Sequence, residues 1–148
     1  MKRVFLTYLL ACTSVLSVDA ADYLQWEGDK SKPGKARHVV FISGDEEYRS
    51  EESCPMLAKI LNRRFGFKTT VLFAINPDGG FIDNQHQNNI PGMDQVASAD
   101  LVVIGTRFRD LPEEQLQPLA DYLNEGKPIF GFRTATHAFR TERKTGGI

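Results

Sequence analysis

The chain predicts an α/β fold: a doubly wound, flavodoxin-like, mostly parallel sheet with about four strands. Two apolar runs, Val39-Val40-Phe41-Ile42 and Leu101-Val102-Val103-Ile104, are continuous and bounded by polar residues. Strands buried on both faces of a parallel sheet read this way. Stretches with helical spacing separate the strands, which implies βαβ units with right-handed crossovers. Every strand also runs into a polar, charged loop, the place where ligands bind in such sheets.

Residues 1–20 read as an export signal. Lys2 and Arg3 precede a mostly apolar stretch from Val4 to Val18, and Val18-Asp19-Ala20 fits a small-residue cleavage site. The expected location is periplasmic or extracellular, with no membrane span after cleavage. Cleavage removes Cys12 and leaves Cys54 alone, so no intrachain disulfide is expected. Residues 21–37 are polar and read as a linker, with Tyr23 and Trp26 available for an anchoring contact. The domain is expected over 38–148.

The first strand covers Val39–Ile42. Ser50 reads as the N-cap of the next helix, with Glu51 and Glu52 favouring its dipole. Pro55 places the helix start close to itself. Met56, Leu57, Ile60 and Leu61 form the expected core face, and Gly66 the stop. Phe67–Ala74 is the second strand. A long loop, 76–92, begins with the turn signal Asn76-Pro77-Asp78-Gly79-Gly80. Met93–Ala99 suits one short helix, and Leu101–Ile104 the third strand. Pro112-Glu113-Glu114 opens a helix with Leu116, Leu119, Ala120 and Leu123 inward, and Gly126 stops it. Ile129–Phe132 is the fourth strand. The polar tail from Arg140 to Ile148 adds no closing element, so a partial domain with an open edge is expected. Such an edge allows homo-oligomerisation.

With 148 residues, 41% hydrophobic and 25% charged, the composition is that of one globular domain. A net charge of −1 excludes the basic stripe of a nucleic-acid binder. No phosphate-cradling glycine motif and no metal-ligand spacing occurs, so neither cofactor nor metal is expected.

Chemistry-bearing residues gather in three loops. After the first strand stand Asp45, Glu46 and Glu47, then Tyr48 and Arg49. These acids suit a base, a ligand to an ion or a hydroxyl acceptor, or they cap the next helix. After the third strand, Arg107 and Arg109 alternate and face one side if the strand continues. They suit carboxylates, phosphates or sugars, or an ion-pair network with Asp45 or Glu47 that holds the loops together. After the fourth strand come Arg133, Thr134, Thr136 and His137. His137 is the natural acid or base there; the threonines suit ligand contacts or a cap. The amide-rich loop 84–92 suits a polyhydroxylated ligand or ordinary turns. Cys54 reads as a packed thiol.

Three segments together resemble the trehalose-utilisation (ThuA-like) family of the class I glutamine-amidotransferase-like superfamily, its exported planctomycete-type members above all. They are Ile42–Ser50, Leu101–Arg109 and Gly131–Phe139, within a match of roughly 38–139. The resemblance implies a cleft at the strand ends and a link to carbohydrate metabolism. Arg133 stands where amidotransferases carry the nucleophilic Cys and many relatives a His, at the elbow after Gly131-Phe132. It implies a sugar or sugar-derived small-molecule ligand. Ligand contacts would fall to Asp45, Glu47, Arg49, Arg107, Arg109, Thr134 and Thr136, with Arg133 and His137 in the catalytic positions.

Overall fold

The computed structural model describes residues 23–140. The expected export signal and the tail 141–148 lie outside the described residues. Within them, a five-stranded, mostly parallel sheet carries helices on both faces. Its strands are β1 (Tyr23–Trp26), β2 (His38–Gly44), β3 (Lys68–Phe73), β6 (Leu101–Thr106) and β7 (Ile129–Gly131), in the order β1-β3-β2-β6-β7. Only β1 is antiparallel to its neighbour. Helices α1 (Ser50–Ile60) and α2 (Glu113–Asn124) supply the crossovers with a 3-10 helix at Met93–Ser98. A two-stranded ribbon, β4 (Ile75–Asn76) with β5 (Phe81–Ile82), interrupts the expected long loop.

The pleat divides the strand residues between two cores. Val40, Ile42, Leu72, Val102 and Ile104 meet Leu116, Leu119 and Tyr122 of α2 and Met93 and Val96 of the 3-10 helix. Val39, Phe41, Val71, Phe73 and Val103 meet Cys54 and Ala58 of α1. Gly105 gives room for the Phe132 ring, whose Cζ would lie 2.5 Å from a Cβ there. Tyr122 closes the bottom of the sheet by donating its hydroxyl to the Pro128 carbonyl at 2.7 Å.

Several sequence expectations are corrected. The segment read as a linker supplies the edge strand β1, and its continuation packs on the end of α1. Asn62 Nδ2 donates to the Glu27 carbonyl at 2.7 Å, and Gly34 N–H to the Phe65 carbonyl at 2.7 Å. Helix α1 begins at Ser50, with Pro55 inside its first two turns rather than at its start. Ser50 does not cap it: its hydroxyl turns back to accept the N–H groups of Gly44 and Asp45. A π-helical turn, Leu61–Phe65, continues to Gly66, whose φ of 76° ends it as expected.

The core face of α1 also differs. Cys54, Ala58 and Leu61 point inward, whereas Met56 is 56% exposed and Ile60 42%. Small inward residues let α1 settle close to the sheet, which rotates the larger ones outward. Lys59 reaches the Trp26 ring at the β1 side, 5.8 Å from its centroid. Leu57 and Ile60 lie on the opposite flank of the helix. At the edge, β7 leaves Phe130 exposed on the α1 face of the sheet and Ile129 exposed on the other.

His38 begins β2 inside the fold. Its ring nitrogens bond the hydroxyls of Ser98 at 3.0 Å and Thr70 at 2.8 Å. Burial, helped by Lys68, pushes its pKa below the ordinary value. The fold therefore favours the neutral ring. The stability this gives is full above the unfolded-state pKa and is lost as pH falls through the lowered folded-state value. Urea unfolding midpoints should fall between about pH 7.5 and 5, and His38→Gln should flatten that fall. The corrected helix face makes a second prediction for the same assay. Ile42→Ala should cost about 2–5 kcal/mol, whereas Met56→Gln should stay within about 0.5 kcal/mol.

Candidate functional site

At the C-terminal ends of β2, β6 and β7 three turns meet, and each contains a residue with left-handed backbone. Arg49 has φ 52°, Phe108 φ 52° and Thr134 φ 78°. Such conformations are costly for residues with side chains, above all for a β-branched threonine, and they cluster at functional sites. The contacts around them show what holds them.

The turn after β2 is fixed by Asp45, which is 2% exposed. Its Oδ1 accepts the N–H groups of Glu47 at 2.8 Å and Tyr48 at 3.1 Å. Its Oδ2 accepts the hydroxyl of Thr134. That hydroxyl also lies within reach of the carbonyls of Arg133, at 2.7 Å, and Thr106, at 3.3 Å. The expected ligand residues Asp45 and Thr134 thus bind each other, which pins the elbow after β7 to the turn after β2.

The two arginines after β6 separate in role. The strand ends at Thr106 and the left-handed Phe108 breaks its alternation, so Arg107 and Arg109 do not share one face of a continuing strand. Arg109 is buried, 1% exposed. Its Nε donates to the Arg107 carbonyl at 2.8 Å. One terminal nitrogen donates to the carbonyls of Asn84 and His86, both at 3.0 Å. The other pairs with Glu46 Oε2 at 2.9 Å. Burial lowers the Arg109 pKa while Glu46 opposes the shift. Arg109 is therefore a tie between loops and not a ligand contact.

Arg107 is three-quarters buried. It pairs with Glu46 at 2.7 Å and Glu47 at 3.3 Å and covers the Phe108 ring, 4.7 Å from the centroid. Its Nε and the Thr106 hydroxyl are buried with no partner among the described residues. Atoms of this kind call for an ordered water or a ligand atom. Arg49 points away: it lies on α1 with Glu52 at 2.6 Å and Glu51 at 4.0 Å.

The rim that remains open carries Glu47, Tyr48, Phe108, Arg133, Thr136 and His137. Arg133 lies over the Tyr48 ring, 4.6 Å from its centroid, and donates to the Tyr48 hydroxyl at 2.8 Å. His137 stacks on Phe108 with centroids 5.0 Å apart, and its Nδ1 is 3.2 Å from the Thr136 hydroxyl. The Phe108 N–H donates to the His137 carbonyl at 2.9 Å. Between this rim and β7 runs a groove of about 400 Å³, lined by Ile104, Ile129, Phe132 and the turn Arg133–Thr136.

Sequence reasoning named Glu46 among the acids after the first strand but not as the partner of Arg107 and Arg109, and gave Tyr48 and Phe108 no role. Glu46 had a usable signal, since two arginines two residues apart need a shared acid. The aromatic platforms lacked one, because one aromatic residue inside a charged loop has no periodic pattern.

Among the described residues no three His, Cys, Asp or Glu side chains gather as a metal site would require. No helix among them is long and apolar enough to cross a membrane. Comparisons with protein-family models, with curated proteins and with solved structures return no match.

The contrast between two arginines is directly testable. Arg109→Ala strands Glu46 in a partly buried site and should cost about 3–5 kcal/mol in urea unfolding. Arg133→Gln, at an exposed position, should stay within about 0.5 kcal/mol.

Proposed function

We propose that the chain is an exported ThuA-like domain that binds a sugar or sugar-derived ligand at the C-terminal ends of β2, β6 and β7. The parallel strand order β3-β2-β6-β7 supports a flavodoxin-like framework, whose topological switch point falls between β2 and β6. The carrying observation is the open rim. Tyr48, 39% exposed, and the stacked Phe108–His137 pair, with Phe108 36% exposed, stand beside a guanidinium, a carboxylate and a hydroxyl. Aromatic faces pack against the C–H surface of a pyranose, and the polar groups match its hydroxyls. Arg133, Glu47 and Thr136 make the polar contacts, and His137 serves as acid or base where turnover occurs.

A second reading, a binding module without turnover, draws on the missing nucleophile. Arg133 occupies the elbow after β7, and Cys54 is fully buried with its thiol pushed up to about 12. A thiol held protonated does not attack.

Thermal unfolding of the full chain against neutral sugars and sugar acids tests the proposal. A ligand that binds only the native state adds about 2.7 kcal/mol at a hundredfold excess over its Kd, several degrees in Tm. One sugar class should give this rise. A Tm unchanged across the whole panel overturns the proposal.

A further inference from the structure

Arg133 differs from the other arginines of the strand-end cluster. Arg49 is paired with Glu52, Arg107 with Glu46 and Glu47, and Arg109 with Glu46. No carboxylate among the described residues lies within ion-pair distance of Arg133; its partner is the neutral Tyr48 hydroxyl. The same tyrosine holds the guanidinium plane against its ring and leaves most of the five N–H donors free. That geometry orients the fork before any ligand arrives, which lowers the ordering cost of binding.

Among the described residues the groove has no other charged lining. Ile104, Ile129 and Phe132 provide apolar walls, and the Thr134 hydroxyl is already engaged with Asp45. A lone cation at the mouth of an apolar groove, with Glu47 acting on it only at longer range, matches a single negative charge. A phosphate dianion would need a second cation, and Arg107 and Arg109 are already paired with Glu46 and Glu47. Half-exposed Glu47 would also repel a dianion.

We infer that the groove beside β7 takes a sugar monocarboxylate, its carboxylate received by Arg133 and its ring lying toward the aromatic rim. The inference rests on the sugar-binding reading of the site. A planar carboxylate fits the guanidinium fork by two parallel N–H···O bonds. In this assignment Arg133 is a specificity residue: it separates the acid from the neutral sugar of the same ring.

Isothermal titration of the full chain with two matched pairs, glucose with glucuronate and galactose with galacturonate, decides the matter. Inorganic phosphate is the competing anion. At least one acid should bind about tenfold more tightly than its neutral partner and than phosphate. Arg133→Gln should remove that advantage, so that acid and neutral sugar of a pair still bind but with equal affinity, while circular dichroism shows the native fold. Equal binding of acid and neutral sugar overturns the inference and leaves the sugar reading standing. So does phosphate matching the acid, or loss of both sugars in Arg133→Gln. An absence of heat with all four sugars overturns the inference together with the reading it rests on.

Discussion

The ion pair between Glu46 and the buried Arg109 is the constraint on which the strand-end site depends. Parallel strands leave their C-terminal ends as separate loops, each with backbone groups that need partners. Arg109 ties four segments together: its side chain reaches the turn after β2 through Glu46, the loop after β5 through the Asn84 and His86 carbonyls and its own loop through the Arg107 carbonyl, and its backbone N–H donates to Ala138 beyond the elbow after β7. A lysine could not do this, because its single ammonium lacks the planar fork. The arrangement costs desolvation, and it holds because each of the three guanidinium nitrogens meets an acceptor.

With the inner charges committed, the outer ones become available. Glu46 absorbs Arg107 and Arg109, and Asp45 absorbs Thr134 and two backbone N–H groups. What stays accessible is a short set of aromatic rings, Glu47, and Arg133 with no carboxylate among the described residues in ion-pair distance. The left-handed Phe108 and Thr134 matter here, because Phe108 separates the buried Arg109 from the partly open Arg107 and Thr134 leaves Arg133 exposed at the end of its strand. Their strain is held by the Asp45 and His137 contacts.

Much of the framework was legible because strands buried on both faces must be apolar throughout. β2 and β6 could be read within a residue or two on that ground alone, and β3, which begins Lys68-Thr69-Thr70, on its β-branched residues. The face of α1 was not legible, since Cys54 and Ala58 are too small to compete with Met56 and Ile60 in a hydrophobic pattern, yet their size is what allows close packing. β1 escaped because a four-residue edge strand, half exposed and set among polar residues, carries no period. At the site the residues were in view but their roles were not. Arg107 and Arg109 looked equivalent in sequence; burial, which no local pattern reports, made one a tie and the other a partly open wall.

Amide hydrogen exchange in Arg109→Lys, compared with the unsubstituted chain, tests the tie most directly. The account predicts faster exchange at Asp110, which donates to the Gln87 carbonyl, and at Phe108, which donates to His137. Exchange at Val40 to Ile42 in β2 should remain unchanged, because local opening of loops need not involve the core strands. Uniform acceleration across β2 and the loops together, or no change at Asp110 and Phe108, would contradict the claim that Arg109 holds the strand-end loops in place.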